Sequence, residues 1–153
     1  MIVRAPLLAE CEALFDLCLR SKAHWGYDDA FLAACREELT VTGAMMQSSA
    51  MAVAECDGVV YGLVQLDLTP SEAVLEKIFV VPEAIGTGIG KALFRWAVMA
   101  AKDTGAGSFT IDSDPNAVAF YRHMGAVLIG SSPSGSIAGR LLPKLRYVID
   151  LTI

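Results

Sequence analysis

Residues 80–93, VVPEAIGTGIGKAL, concentrate the residue types that could do chemistry. An apolar, β-type run meets Pro82. A turn of Gly86, Thr87, Gly88, Ile89 and Gly90 follows, then Lys91 and a helical spacing of Ile89, Leu93, Trp96 and Ala100. A strand feeding a glycine turn at a helix N-terminus is an anion-binding device. The first-turn N–H groups converge, glycine lets the backbone approach, and the helix dipole favours negative charge. Two phosphate loops are excluded by spacing. A nucleotide-triphosphate loop needs glycine where Ile85 stands and Ser or Thr where Ala92 stands. A dinucleotide fingerprint needs G-x-G-x-x-G after a first strand, whereas these glycines run G-x-G-x-G at mid-chain.

A second block lies downstream, at residues 114–126: DPNAVAFYRHMGA. Together the two blocks resemble the GNAT superfamily of N-acetyltransferases. The first matches its V-x-P-x-x-x-G-x-G-x-G-x-x-L acyl-CoA loop, and the second its N-x-x-A-x-x-x-Y-x-x-x-G-F segment. The resemblance implies a mixed α/β fold: a mostly antiparallel central sheet, a splayed parallel strand pair, and helices on both faces. It implies acetyl-CoA as cosubstrate, its pantetheine arm on the backbone of Phe79, Val80 and Val81, and its pyrophosphate on residues 86–91. It also implies that Tyr121 contacts the thioester and protonates the leaving thiolate, that a backbone N–H near Val81 steadies the oxyanion, and that Glu76 acts as base, directly or through water. Two positions depart from the family. Ile85 replaces an Arg or Gln before the first glycine, which leaves the loop to backbone donors. Asp114 replaces an Asn; Asn116 stands nearby as a substitute, and Asp114 with Pro115 also reads as a helix cap followed by a first-turn proline.

Other candidates surround the acceptor. Ser21-Lys22-Ala23-His24-Trp25-Gly26-Tyr27 lies between the first two expected helices. There His24 is a second candidate base and Trp25 and Tyr27 are candidate substrate contacts, the alternative being a packed corner. Residues 131–143, SSPSGSIAGRLLP, read as a long loop between the last two strands. In it Arg140 could take a substrate carboxylate or pair with a surface acid. The chain resembles a GNAT subgroup carrying both SK-x-x-WGY and S-G-S-I-x-G-R segments. His123 reads as an exposed helix residue, and Lys91 and Arg95 as CoA contacts or solvated charges.

The elements that must position these residues follow from periodicity and punctuation. We expect strands at 2–4, 51–55, 59–68, 73–81, 109–112, 127–129 and 145–153, and helices at 6–21, 28–39, 89 to about 105, and 115–124. The order is β-α-α-β-β-β-α-β-α-β-β, with a hairpin at Asp57-Gly58 and a parallel crossover after the glycine turn. A chain of 153 residues without repeats or linkers reads as one domain. The net charge of −5 and the lack of a basic run argue against nucleic-acid binding and suit cationic amines. No apolar run reaches membrane-span length, so we expect a cytoplasmic protein without membrane contact. The apolar excess fits a homodimer face or a well-filled core. Cys11, Cys18, Cys35 and Cys56 form no C-x-x-C pair and only two histidines are present, so no metal is expected and the cysteines read as core residues. The functional expectation is acetyl transfer to the primary amine of a small molecule. The alternatives are a silent acyl-CoA sensor and a protein N-terminal acetyltransferase.

Overall fold

The computed structural model describes residues 1–69 and 72–150. Seven strands form one sheet: β1 (Ile2–Arg4), β2 (Ala50–Cys56), β3 (Val59–Leu68), β4 (Ala73–Val80), β5 (Ser108–Asp112), β6 (Val127–Pro133) and β7 (Leu141–Val148). Their spatial order is β1-β2-β3-β4-β5-β7-β6. Every neighbouring pair is antiparallel except β4–β5. The β2–β3 hairpin turns on Asp57 at φ +50° and Gly58 at φ +80°, the two left-handed residues that a tight primed turn requires.

Helix α1 (Cys11–Ala23) packs against β3 and β4, with Leu14, Leu17 and Cys18 buried. Helix α5 (Ile89–Asp103) packs against β2, β3 and β4, burying Ile89, Leu93, Phe94, Ala97 and Ala101 at helical spacing. Between α1 and β2 lie α2 (Asp29–Ala34), α3 (Arg36–Leu39) and α4 (Gly43–Ser48), and α6 (Val118–His123) follows β5. Phe94 of α5 meets Phe109 of β5, Phe120 and Tyr121 of α6 and Tyr147 of β7, with ring centroids 5.1–6.4 Å apart. This aromatic cluster joins the two halves of the sheet.

Several expected boundaries move. The helix expected at 28–39 breaks at Cys35 into α2 and α3, with Asp28 capping the first through Phe31 N–H at 2.8 Å. Helix α4 was not expected; Thr42 caps it through Met45 N–H. The long loop expected at 131–143 is strand at both ends, because β6 runs to Pro133 and β7 starts at Leu141. Only residues 134–140 remain as connection. Leu145 and Ile149 are buried as the alternation predicts, while Leu151 and Ile153 lie outside the described residues.

The feature that makes a site is in the middle of the sheet. Strands β4 and β5 pair only at Ala73–Phe109 and Val74–Thr110. Beyond Val74 they part, while β4 stays zipped to β3 up to Val80 and β5 stays zipped to β7 up to Asp112. The gap opens a cavity of about 500 Å³ that runs from the glycine turn to the α1–α2 connection.

Candidate active site

One wall of the cavity is the inner edge of β4. Val81 N–H donates to Tyr61 O at 2.9 Å. Along an antiparallel pair such groups alternate, so Phe79 and Val81 direct their backbone groups to β3. Ile78 and Val80 turn theirs toward the cavity. This narrows the expected backbone contacts: of Phe79, Val80 and Val81, the central residue has free groups and Ile78 joins it. It also removes Val81 N–H as an oxyanion donor.

Glu76 owes its place to a bulge. Gln65 pairs with Lys77 and Leu66 with Leu75, so Glu76 is the extra residue of β4 with no partner on β3. Bulges re-aim side chains, and this one puts Glu76 on the cavity wall. It has no ion pair among the described residues. Its side chain is exposed into the cavity, yet partial desolvation there, the neighbouring Asp67 and, against the pull of Lys77, Asp112 raise its pKa above the ordinary carboxylate value. Lys77 does not pair with it; its Nζ donates to Glu38 O at 2.7 Å.

The glycine turn caps the cavity mouth. Gly86 and Gly88 sit at φ +82° and +89°, where a side chain would be strained. Gly90 is glycine for another reason: a Cβ there would lie 3.2 Å from the Phe120 ring. Thr87 N–H is spent on Ala84 O, and Ala92 N–H on Gly88 O. The N–H groups of Gly86, Gly88, Ile89, Gly90 and Lys91 are left without a backbone acceptor among the described residues. Ile89 itself is buried, so its side chain belongs to the core while its N–H faces the turn. Lys91 is on the cavity wall without an ion pair among the described residues, and Ile85 is half exposed there. These free donors suit a pyrophosphate.

Tyr121, buried on α6, lines the cavity. No hydrogen bond engages its hydroxyl among the described residues, yet no buried polar atom is sealed without a partner. The hydroxyl therefore opens onto the cavity. Burial and the nearby Asp114 charge push its pKa up, so the phenol stays protonated.

The far end is a side-chain network that the sequence did not announce. Asp114 Oδ2 accepts from Lys22 Nζ at 2.9 Å and from Tyr27 Oη at 2.8 Å. Its Oδ1 accepts from Asn116 N–H at 2.8 Å and Asn116 Nδ2 at 2.9 Å. Arg140 Nη2 and Asn116 Nδ2 donate to Tyr27 Oη at 3.0 and 3.2 Å. Lys22 also faces Glu38 at 3.5 Å. Burial alone would raise Asp114, but hydrogen bonds from Lys22 and Asn116 hold it below the usual carboxylate range. Lys22 ends above its usual value because Asp114 and Glu38 outweigh its desolvation.

This network settles where several expected residues sit. Asp114 is a cap, as its position suggested, and also the centre of the network. Asn116 has both amide protons engaged there, so its free group toward a ligand is its oxygen. Tyr27 is held in the network and stacked on Phe31 at 4.1 Å, off the cavity wall. Trp25 does line the cavity, whereas His24 packs edge-on against Trp25 at 4.8 Å and lies outside it. Lys22, Glu38 and Asp112 are wall residues the sequence reading passed over. One signal was available: Leu14, Cys18 and Lys22 are spaced by four, so the lysine continues a buried stripe of α1 and demands a counter-charge.

Comparison with known proteins agrees with this architecture. A family model described as the acetyltransferase (GNAT) domain matches residues 20–135. No curated protein sequence matches the chain significantly. Among solved structures, it is similar to a GCN5-related N-acetyltransferase from Rhodopseudomonas palustris, with TM-score 0.80, 19% identity, and 97% of this chain and 95% of that one covered. It is similar also to the PaiA N-acetyltransferase of Thermoplasma acidophilum in complex with coenzyme A, with TM-score 0.77, 16% identity, and 96% and 98% covered. A ribosomal-protein-alanine N-acetyltransferase from Brucella melitensis shares the fold at TM-score 0.67, 17% identity, and 97% and 100% covered.

Proposed function

Because the chain belongs to the acetyltransferase (GNAT) domain family, we propose that it transfers the acetyl group of acetyl-CoA to the primary amine of a small molecule by direct attack. The observation that carries this reading is the parting of β4 and β5. It exposes the Val80 backbone, the bulged Glu76 and the Tyr121 hydroxyl to one cavity whose mouth is the glycine turn. The solved PaiA relative binds coenzyme A, and the free N–H groups of residues 86 and 88–91 would hold its pyrophosphate here. The cosubstrate supplies an activated thioester. Ile78 and Val80 would pair with the amides of its arm, which fixes the carbonyl relative to Glu76.

Glu76 removes a proton from the ammonium form of the acceptor. Its raised pKa makes it a stronger base than an ordinary carboxylate. The amine nitrogen forms its bond to the acetyl carbon as the carbon–sulfur bond breaks, and the new amide nitrogen releases its second proton to solvent. Tyr121 gives its proton to the departing sulfur and recovers one from solvent. Asp112 stands across the gap from Glu76, so this region is anionic and suits a cationic acceptor. No helix among the described residues is long and apolar enough to cross a membrane.

The test is a thermal shift with acetyl-CoA, followed on the same sample by free-thiol release across amines, amino acids and short peptides. A shift with amine-dependent release is the expected result. A shift without release from any acceptor would replace the enzyme reading by an acyl-CoA sensor. No shift would remove the glycine-turn assignment.

A further inference from the structure

Arg140 has more hydrogen-bond donors than the protein uses. A guanidinium carries five N–H groups. One bond is made, from Nη2 to Tyr27 Oη at 3.0 Å. Asp114 cannot take more. It already accepts four hydrogen bonds, the full capacity of a carboxylate, and Arg140 Nη2 is 3.8 Å away. Tyr27 Oη gives its proton to Asp114 and accepts from Arg140 and Asn116, so its lone pairs are filled as well. Lys22 is engaged by Asp114 and Glu38 and offers no alternative cation. The remaining Arg140 donors have no acceptor among the described residues. They are not sealed either, since no buried side-chain nitrogen lacks a partner. They open onto the cavity that Arg140 lines.

The group is also held still. Its carbon lies 4.8 Å from the Phe31 ring and 5.4 Å from the Tyr27 ring, and those rings stack on each other. The connection that carries it is internally bonded. Ser134 Oγ accepts from Ser136 and Ile137 N–H at 3.2 and 3.0 Å, and Ser134 N–H donates to Arg140 O at 2.8 Å. Gly139 makes the final turn at φ +79°, and Ser136 Oγ donates to Glu38 at 3.1 Å. A planar fork held rigid, with unsatisfied donors facing a ligand cavity, is arranged for bidentate capture of a carboxylate.

We infer that Arg140 receives a carboxylate of the acceptor, so that the substrate is an amino acid or similar small zwitterion, its amine toward Glu76 and its carboxylate on the guanidinium. The inference rests on the proposed acetyl transfer but can fail separately. It is tested by thiol release from acetyl-CoA with matched acceptors, each proteinogenic amino acid beside its own carboxamide. We expect KM to be at least about tenfold lower for a free acid than for its amide. In Arg140→Gln and Arg140→Lys, KM for the acid should rise about thirtyfold or more. The kcat/KM for the amide and the thermal shift with acetyl-CoA should change less than about threefold and by less than about two degrees. Equal use of acid and amide by the native protein, or an equal loss on both in Arg140→Gln, overturns the inference and leaves acetyl transfer standing. Should no acceptor release thiol, calorimetry with the N-acetyl amino acids decides without turnover: binding abolished by Arg140→Gln supports the site, and binding indifferent to it overturns the site.

Discussion

The two ends of the cavity are built on opposite principles. The cosubstrate end is backbone: five N–H groups on a glycine turn, with Lys91 on its wall and the apolar Ile85 beside them. The acceptor end is side chain: Lys22, Tyr27, Asp114, Asn116 and Arg140, with Tyr27 and Arg140 joined across 113 positions of the chain. A backbone site tolerates loss of side chains and is damaged by gaining one. A side-chain network behaves the other way.

The largest effect should come from opening the network. Asp114→Ala strips Lys22 of its nearer partner in a nearly closed site, with side-chain exposures of 8% and 13% for the pair, and leaves it facing Glu38 at 3.5 Å. Removing one member of a buried pair costs about 3–5 kcal/mol, which a thermal melt would show as a drop of roughly 10 °C for a chain of this size. The pH dependence should move with it. Asp114 is held below its unfolded value, so its stabilisation is complete above about pH 4 and is lost as pH falls through the lower folded pKa. Lys22 is held above its unfolded value, so its share is complete below about pH 10 and is lost as pH rises further. Asp114→Ala should flatten the acid limb of a stability–pH curve; an unchanged limb would break the contrast between the two ends.

Next come the reacting groups, which lie where the ends meet. Tyr121→Phe should lower kcat about a hundredfold, within the range for a lost general acid, with KM for acetyl-CoA little changed. Glu76→Gln should lower kcat/KM comparably at neutral pH. It should also erase an acid limb that in the native protein sits above the ordinary carboxylate pKa of about 4.3, in the direction that partial desolvation beside Asp67 and Asp112 drives it. A limb at the ordinary value would mean that water access cancels the desolvation.

The cosubstrate end should respond to added atoms. Gly88→Ala meets no neighbouring atom within 4 Å, so its cost is conformational, about 1–2 kcal/mol at φ +89°, read as roughly a tenfold weaker Kd for CoA. Lys91→Ala deletes the turn's cation and should weaken CoA by no more than about threefold, in line with an exposed charge. A Lys91 effect larger than the Gly88 effect would mean that the turn works by charge rather than by geometry.

The same contrast explains what could be read from the chain. The glycine turn is local: its residues, their spacing and the helix behind them are contiguous, and the family resemblance rested on them. The strands from β2 to β5 were legible within a residue or two because alternation and the Asp57-Gly58 turn mark them. The β6 and β7 extensions were obscured because Ser, Gly and Pro look like a loop even where they pair as Ser131–Pro143 and Ser132–Leu142. Helix α4, capped by Thr42 within a short apolar stretch, carries too few turns to show a period. The network was legible only as two unexplained segments. SK-x-x-WGY and S-G-S-I-x-G-R meet through Tyr27 and Arg140, a contact that no local period encodes. Glu76 was placed on the right strand, but the bulge that aims it is a register event between two strands and leaves no trace in either alone.

Strand β7 lies between β5 and β6 although it follows both in sequence. During synthesis, β1–β4 and α5 can zip into an antiparallel half-sheet while later residues are still being added. β5 and β6 cannot do the same. Until β7 emerges, β5 is tied to the rest by two residue pairs and β6 has no strand beside it. A nascent chain stalled ahead of Leu141 would therefore present the apolar edge around Phe109 and Ile111 to whatever binds unpaired strands. Arg140 leads β7 and arrives with it, so the acceptor end, begun by Lys22, Tyr27 and Asp114, is completed only when β7 is made.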